Sequence, residues 1–264
     1  MSDLDELDLL MDELSQKKHI SVSQIGQVKR CPRQWVYRYI EGKKVAPGIA
    51  LITGSSFDEA MNMNYTQKIE TKTDLPVEQM VDKFSDELDR RVEELEDPEE
   101  KKEKGVIKDV FTAGIPLFCN QIVSKVQPIK VQTKVLIPLD DQFDFLGFLD
   151  LETETKIIDN KTASRYTDDF VKKHMTQLKA YVWAIYETTG QVKATELNTL
   201  VKTKKPSCKI DTVDNIKPTD FLQEESRTIN FIKKLHADPD MAFKNTDGWH
   251  CSQKWCGYYN ECQK

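Results

Sequence analysis

The period of the hydrophobic positions changes several times along the chain, and each change marks a predicted element. From Asp168 to Thr188, apolar residues recur at helical spacing (Phe170, Val171, Met175, Leu178, Tyr181, Val182, Ile185), and Gly190 follows as a stop signal. Gly105 to Val126 and Asp220 to Leu235 are predicted helices on the same grounds. Three runs rich in aromatic and β-branched residues predict strands over Lys130–Leu139, Phe143–Glu152 and Lys156–Lys161, with a further strand over Thr195–Thr203. The second and third runs are separated only by the polar stretch Thr153 to Lys156, so the chain must reverse there and pair antiparallel. Nearer the N-terminus, Ser23 is placed to cap a helix that runs to the Cys31–Pro32 step, and Pro32 suits the first turn of another helix through Tyr39. Helix, strands, helix, strand, helix predicts the α/β or α+β class, a central sheet flanked by helices.

Two segments stand apart from this pattern. Residues 1–20 form an acidic arm, expected to be disordered. Leu4, Leu7, Leu10, Met11 and Leu14 would line one side of it in a helix, which suits docking on a protein partner. Residues 66–104 form an acidic helical insertion, with Val77, Met80, Val81, Phe84, Leu88, Val92 and Leu95 at helical spacing until Pro98; a solvated surface helix is the plainest reading. The remaining chain, 21–264, is expected to fold as a single domain.

Charge sharpens this division. The net charge is -6, which is unexpected for a protein that grips phosphates. Residues 1–18 carry -4 and residues 66–104 carry -6, so the remainder carries +4. The acid is segregated away from the segments with candidate chemistry. No apolar run of membrane-spanning length is read in the sequence, and an intracellular location without membrane contact is the expectation.

The chemistry centres on the predicted hairpin GFLDLETETKIIDNKTAS. Asp159 and Lys161 are two apart on one strand and share a face, while Asp150 lies on the neighbouring strand at matching depth. Carboxylates among Phe148, Leu149, Ile157 and Ile158 are costly unless paired or bound to a cation, and two of them suit a hard ion such as Mg²⁺ or Mn²⁺. Alone, such a triplet also fits a surface ion pair. Gln177 and Tyr181, four apart on the following helix, project from the same face.

The succession GFLD, IIDNKT, QLKAY resembles the motifs of the PD-(D/E)XK nuclease superfamily, in particular its RecB-like branch. The resemblance implies a restriction-endonuclease-like core with a mixed sheet. It also implies that Asp150 and Asp159 hold Mg²⁺ or Mn²⁺, that Lys161 assists the attacking water, and that Gln177 and Tyr181 position DNA or the lysine. One position departs from the pattern. The family usually has G-x-x-x-H on an early helix, and here GSSFDEA places Asp58 after Gly54. Asp58 is either a substitute metal ligand or, with Glu59, an acid in the first turn of a helix.

Cys251, Cys256 and Cys262 cluster near the C-terminus, and Cys31 lies far upstream. Four thiolates can close a tetrahedral site, either a [4Fe–4S] cluster or a structural Zn²⁺, joining the N- and C-terminal helical segments. One distant cysteine followed by three clustered ones is similar to the iron–sulfur staple of AddB-type nucleases and CRISPR-associated adaptation exonucleases. Cys119, in an apolar helix, reads as core, and Cys208, in a polar loop, has no assigned role.

Arg30 and Arg33, interleaved with Trp35, Tyr37 and Tyr39, are candidate nucleic-acid contacts unless the aromatic residues belong to the core. Lys202 and Lys204 are a second candidate phosphate patch. Together these features predict a metal-dependent DNA exonuclease acting on single-stranded ends, in recombination, repair or phage DNA processing, in the cytoplasm of a bacterial, archaeal or phage-infected host cell. The rival is a catalytically silent module that binds DNA or a protein partner; an endonuclease or RNA-directed enzyme would share the site.

Overall fold

The computed structural model describes residues 17–95 and 97–263, so the leucine pattern of the N-terminal arm lies outside the described residues. The first elements are β1 (Lys18–Ile20) and α1 (Val22–Arg30). Ser21, not Ser23, caps α1: its backbone is extended and its hydroxyl accepts from the Gln24 amide, while Ser23 already lies inside the helix. Cys31 is extended, as a residue before proline prefers, and α2 (Pro32–Trp35) continues as a π-helical turn over Val36–Ile40.

The next helices are α3 (Ile49–Thr71), α4 (Val77–Val92), α5 (Pro98–Lys102) and α6 (Lys104–Gln121). Then follow β2 (Lys130–Pro138), β3 (Phe143–Glu152), β4 (Lys156–Ala163), α7 (Phe170–Thr189), β5 (Ala194–Val201), β6 (Ser207–Val213), α8 (Asp220–Ala237) and the short α9 (Tyr259–Cys262). Gly190 ends α7 as expected: it takes φ of 70°, where a side chain would be strained, and its N–H reaches the Tyr186 carbonyl.

The chain forms two compact units. The larger comprises Ala46–Val135 and Phe148–Pro218. In it, β3 pairs antiparallel with β4, β4 parallel with β5, and β5 antiparallel with β6, which gives the mixed sheet expected for this class. One apolar cluster joins α3, α4 and α6 to Leu151, Ile158 and Leu200 of the sheet. Phe57, Phe84, Phe111 and Phe118 are fully buried in it, and Phe84 stacks on Phe111 at 4.3 Å between ring centres. Burying each such ring contributes roughly 1.5–3 kcal/mol. The acidic stretch is therefore solvated on one side only: Met80, Phe84, Leu88 and Val92 of α4 belong to the core.

The segment Lys104–Lys125, which includes α6, is long and apolar enough to cross a membrane, contrary to the expectation from sequence. Its apolar character has a local use, because Phe111, Ile115 and Phe118 fill the core. A β-carbon at Gly114 would stand 3.2 Å from a Leu200 methyl, so glycine lets α6 approach β5 closely. Cys119 is buried core, as expected; Cys208 lies on β6 and packs against the same cluster rather than in a loop.

The smaller unit comprises the described part of Met11–Val45 with Leu136–Gly147 and Thr219–Lys264. Here β1 pairs parallel with the start of β3, Lys18 opposite Phe143 and Ile20 opposite Phe145. Trp35 is fully buried, donates to Gln24 Oε1 at 3.2 Å and meets the His236 ring edge-on at 5.0 Å.

Candidate active site

Leu151 lies opposite Ile158 across the β3–β4 pairing, and one further step in the same register sets Asp150 opposite Asp159. Strand alternation puts Asp159 and Lys161 on one face of β4. The Lys161 ammonium lies 2.9 Å from Asp159 Oδ1 and 2.8 Å from Oδ2, and the Asp159 side chain is wholly enclosed. Asp150 hydrogen-bonds to Asp159 and interacts with the same ammonium. On α3, a β-carbon at Gly54 would be 4.0 Å from the Thr162 hydroxyl of β4, and one helical turn later Asp58 falls within electrostatic reach of Asp159 and Lys161. From α7, the Gln177 amide donates to the Tyr181 hydroxyl, and Tyr181 interacts with all three aspartates. The structure thus gathers all six residues of the expected site.

Asp58 does not begin a helix. It sits in the middle of α3, which starts at Ile49, so the helix-start reading of Asp58 and Glu59 fails. The amphipathic period of α3 is blurred in the sequence because its buried face carries the polar Thr53, Ser56 and Asn64 while Leu51 is exposed.

Three acids around one lysine have a clear electrostatic signature. Burial, then the neighbouring Asp159 charge, raises the Asp58 carboxyl to about 7, against a partial counter-effect from Lys161. Burial and Asp159 likewise push Asp150 well above the carboxylate range. Burial pulls the Lys161 ammonium down, but Asp159, Asp150 and Asp58 outweigh it and hold the charge in place. The Tyr181 hydroxyl is kept protonated by burial and by Asp150 and Asp159.

Two further residues border the site. His174 precedes Gln177 by three positions, so His174, Gln177 and Tyr181 form one stripe along α7; burial and Lys161 hold its imidazole below the usual range. That spacing was legible in the sequence. Gln132 of β2 approaches Asp150 Oδ1 at 3.5 Å and has φ of 49°, a left-handed backbone at a non-glycine position. Nothing in the local sequence signals it, because the contact depends on the pairing of β2 with β3.

Lys202 and Lys204 are not part of this patch. Half-buried Lys202 lines a separate groove with Ile49, Thr53, Val106 and Ser164, and burial lowers its ammonium below the usual range. Lys204 is exposed in the turn after β5. Arg30 and Arg33 belong to the smaller unit, where Arg33 lies over the Tyr37 ring at 5.0 Å. Trp35 and Tyr37 are buried and belong to the core, so they do not offer faces to bases, whereas Tyr39 is half-buried.

Cys31, Cys251, Cys256 and Cys262 line one small cavity in the smaller unit, with Tyr37 and Tyr258 beside them. The Gln34 amide reaches Cys256 Sγ at 3.0 Å. Partial burial and the three companion thiols raise Cys251 above its ordinary value. Sequence spacing therefore located a real cluster of thiols. Among the described residues, however, no group of three or more His, Cys, Asp or Glu is spaced to hold an ion. The four cysteines are neighbours lining one cavity, and at the acidic patch the Asp159 carboxylate is drawn to the Lys161 ammonium.

The donor chemistry of the acidic patch fits a divalent ion. Its ligating groups are carboxylate oxygens, which suit Mg²⁺ or Mn²⁺, and the raised Asp58 and Asp150 report an excess of buried negative charge that a cation would relieve. A mixed sheet with opposed aspartates, a lysine two residues on and a Gln–Tyr pair on the next helix defines a nuclease-type site. The chain belongs to the PD-(D/E)XK nuclease superfamily, whose family model matches residues 19–263. It is also similar to the crystal structure of a candidate exonuclease from Eubacterium rectale, with TM-score 0.50 and 15% identity over 88% of this chain and 86% of that one. That likeness is one of fold. None of the curated proteins matches the chain.

Proposed function

We propose that this protein is a Mg²⁺- or Mn²⁺-dependent DNA exonuclease of the RecB-like type, which hydrolyses phosphodiester bonds from single-stranded ends inside the cell, in recombination, repair or phage DNA processing. The observation that carries the reading is the meeting of Asp150, Asp159 and Asp58 with Lys161, beside Gln177 and Tyr181. Asp150, Asp159 and Asp58 would hold the ion. When bound, it supplies Lewis-acid polarisation of the scissile phosphate and lowers the pKa of water. Lys161, fixed in its charged form, orients the attacking water and offsets negative charge that develops at phosphorus. Tyr181 stays protonated and donates to a phosphate oxygen, with its hydroxyl aimed by the Gln177 amide. His174, kept neutral beside the lysine, donates or accepts at the edge of the site without adding charge.

The test uses end-labelled single- and double-stranded DNA with Mn²⁺ and the wild type beside Asp159→Ala and Lys161→Ala. Progressive shortening of the single strand by the wild type alone is expected. Equal persistence of DNA in all three samples would sink the reading.

The four thiols in one cavity support a [4Fe–4S] cluster as a structural tie. Anaerobically purified protein is expected to be brown, with iron and sulfide in stoichiometric amounts; a colourless protein with one zinc would replace the cluster by Zn²⁺. A second reading, a catalytically silent DNA- or partner-binding module, is favoured by one observation only, Asp58 at the position where the family has histidine.

A further inference from the structure

Trp249 and Trp255 are among the most exposed large apolar residues of the described chain, at 71% and 58%. They stand against each other edge-to-face, 5.5 Å between ring centres. Their loop is not loose: the Cys251 N–H reaches the Gly248 carbonyl, the Cys256 N–H reaches the Ser252 carbonyl, and the Ser252 hydroxyl donates to the Trp249 carbonyl. The same loop sends Cys251 and Cys256 into the thiol cavity, which anchors it between the two rings. Two tryptophans held outward on a fixed turn leave aromatic faces in water that a folded chain ordinarily covers.

The charge around them selects the occupant. The Lys254 ammonium lies 5.0 Å from the centre of the Trp255 ring. Just upstream, the Phe243 carbonyl accepts from the Arg33 N–H, and the Asn245 amide donates to the Arg30 carbonyl, so the basic end of α1 flanks this segment. Neither Arg30 nor Lys254 has a carboxylate within ion-pair distance among the described residues. Exposed rings beside cations that no described carboxylate pairs, with Asp247 the nearest acid to Trp249 along the chain, suit a strand that offers bases and phosphates alternately.

We propose that Trp249 and Trp255 form a stacking platform for unpaired bases, with Lys254 and Arg30 at the adjoining phosphates, so that the smaller unit binds single-stranded nucleic acid. This rests on the nuclease reading for its biological use and not for its chemistry. A protein partner is the other class of ligand that exposed tryptophans suit, and the test separates it.

The full chain is titrated with fluorescein-labelled oligothymidylate in EDTA, which prevents metal-dependent cleavage, alongside a blunt duplex. Quenching of tryptophan fluorescence by the single strand is expected. Trp249→Ala and Trp255→Ala should each weaken binding about 10-fold, and Lys254→Gln should weaken it and flatten its salt dependence. Binding of the double tryptophan variant within about twofold of wild type, or no binding of oligothymidylate at all, would overturn the platform and leave the pair to a protein partner. Tryptophan-dependent binding without any hydrolysis in Mn²⁺ would support the platform while ending the nuclease reading.

Discussion

The Lys161 ammonium reaches both carboxylate oxygens of Asp159, at 2.9 and 2.8 Å, although the two residues are separated by only one position on β4. The pair neutralises Asp159 and leaves Asp150, opposite it, as the surplus acid. Asp150→Asn is therefore expected to stabilise the metal-free protein by about 1–3 kcal/mol at neutral pH, because the fold holds this carboxyl protonated well above its ordinary range, at a cost that a non-titrating amide does not carry. Denaturation in urea with EDTA measures this. The same variant should lose the rise in Tm that Mn²⁺ gives the wild type. A less stable variant with an intact Mn²⁺ response would contradict the account.

The Gln177–Tyr181 contact predicts a split between stability and activity. Tyr181→Phe leaves the Gln177 amide without its acceptor, a cost of about 1 kcal/mol in a partly buried setting. On the proposed mechanism it lowers the turnover number by about 10-fold or more and changes KM little. A variant with full turnover would remove Tyr181 from the reaction.

Glu87 gives a dependence on pH that is separate from the active site. Burial alone would raise its carboxyl, but Lys83 and Arg90 outweigh this and push it down from 4.5 to about 2. A lowered carboxyl stabilises the fold above pH 4.5, and the contribution is lost as the pH falls through about 2. Arg90 is half exposed, so solvent screening reduces the effect to about 1 kcal/mol. Glu87→Gln should be less stable than wild type by that amount at neutral pH, and the two should converge toward pH 2 in acid unfolding.

In the core of the larger unit, Phe84→Ala empties a fully buried site that stacks on Phe111. A loss of about 3–5 kcal/mol is expected from the midpoint of urea denaturation. A loss under about 1 kcal/mol would mean that α4 is an appendage, as its acidic composition first suggested.

Most of the acidic patch was legible because its parts are local. Asp159 and Lys161 are fixed by strand alternation, Gln177 and Tyr181 by helical spacing, and Asp150 by a hairpin with one possible turn. The remainder depends on contacts between distant segments. β1 is three residues long and gains its identity only from pairing with β3. β6 alternates mostly polar residues and reads as loop until β5 supplies its partner. The start of α3 is hidden because its buried face carries polar residues such as Thr53, Ser56 and Asn64 while Leu51 is exposed, and Ser21 displaced Ser23 as the cap by a choice of backbone conformation that both residues permit. The four cysteines picked out by their spacing line one cavity, but spacing carries no information about whether their sulfur atoms stand at ligating distance.

The Lys161 ammonium is held against the fully enclosed Asp159 carboxylate. A site that carries its own resident counterion does not depend on a metal in order to fold. Were Asp150, Asp159 and Asp58 to hold a divalent ion as proposed, the ion would compete with a tethered cation of single charge. Monovalent salt would gain little from that competition, whereas a small divalent ion would gain a second charge's worth of attraction.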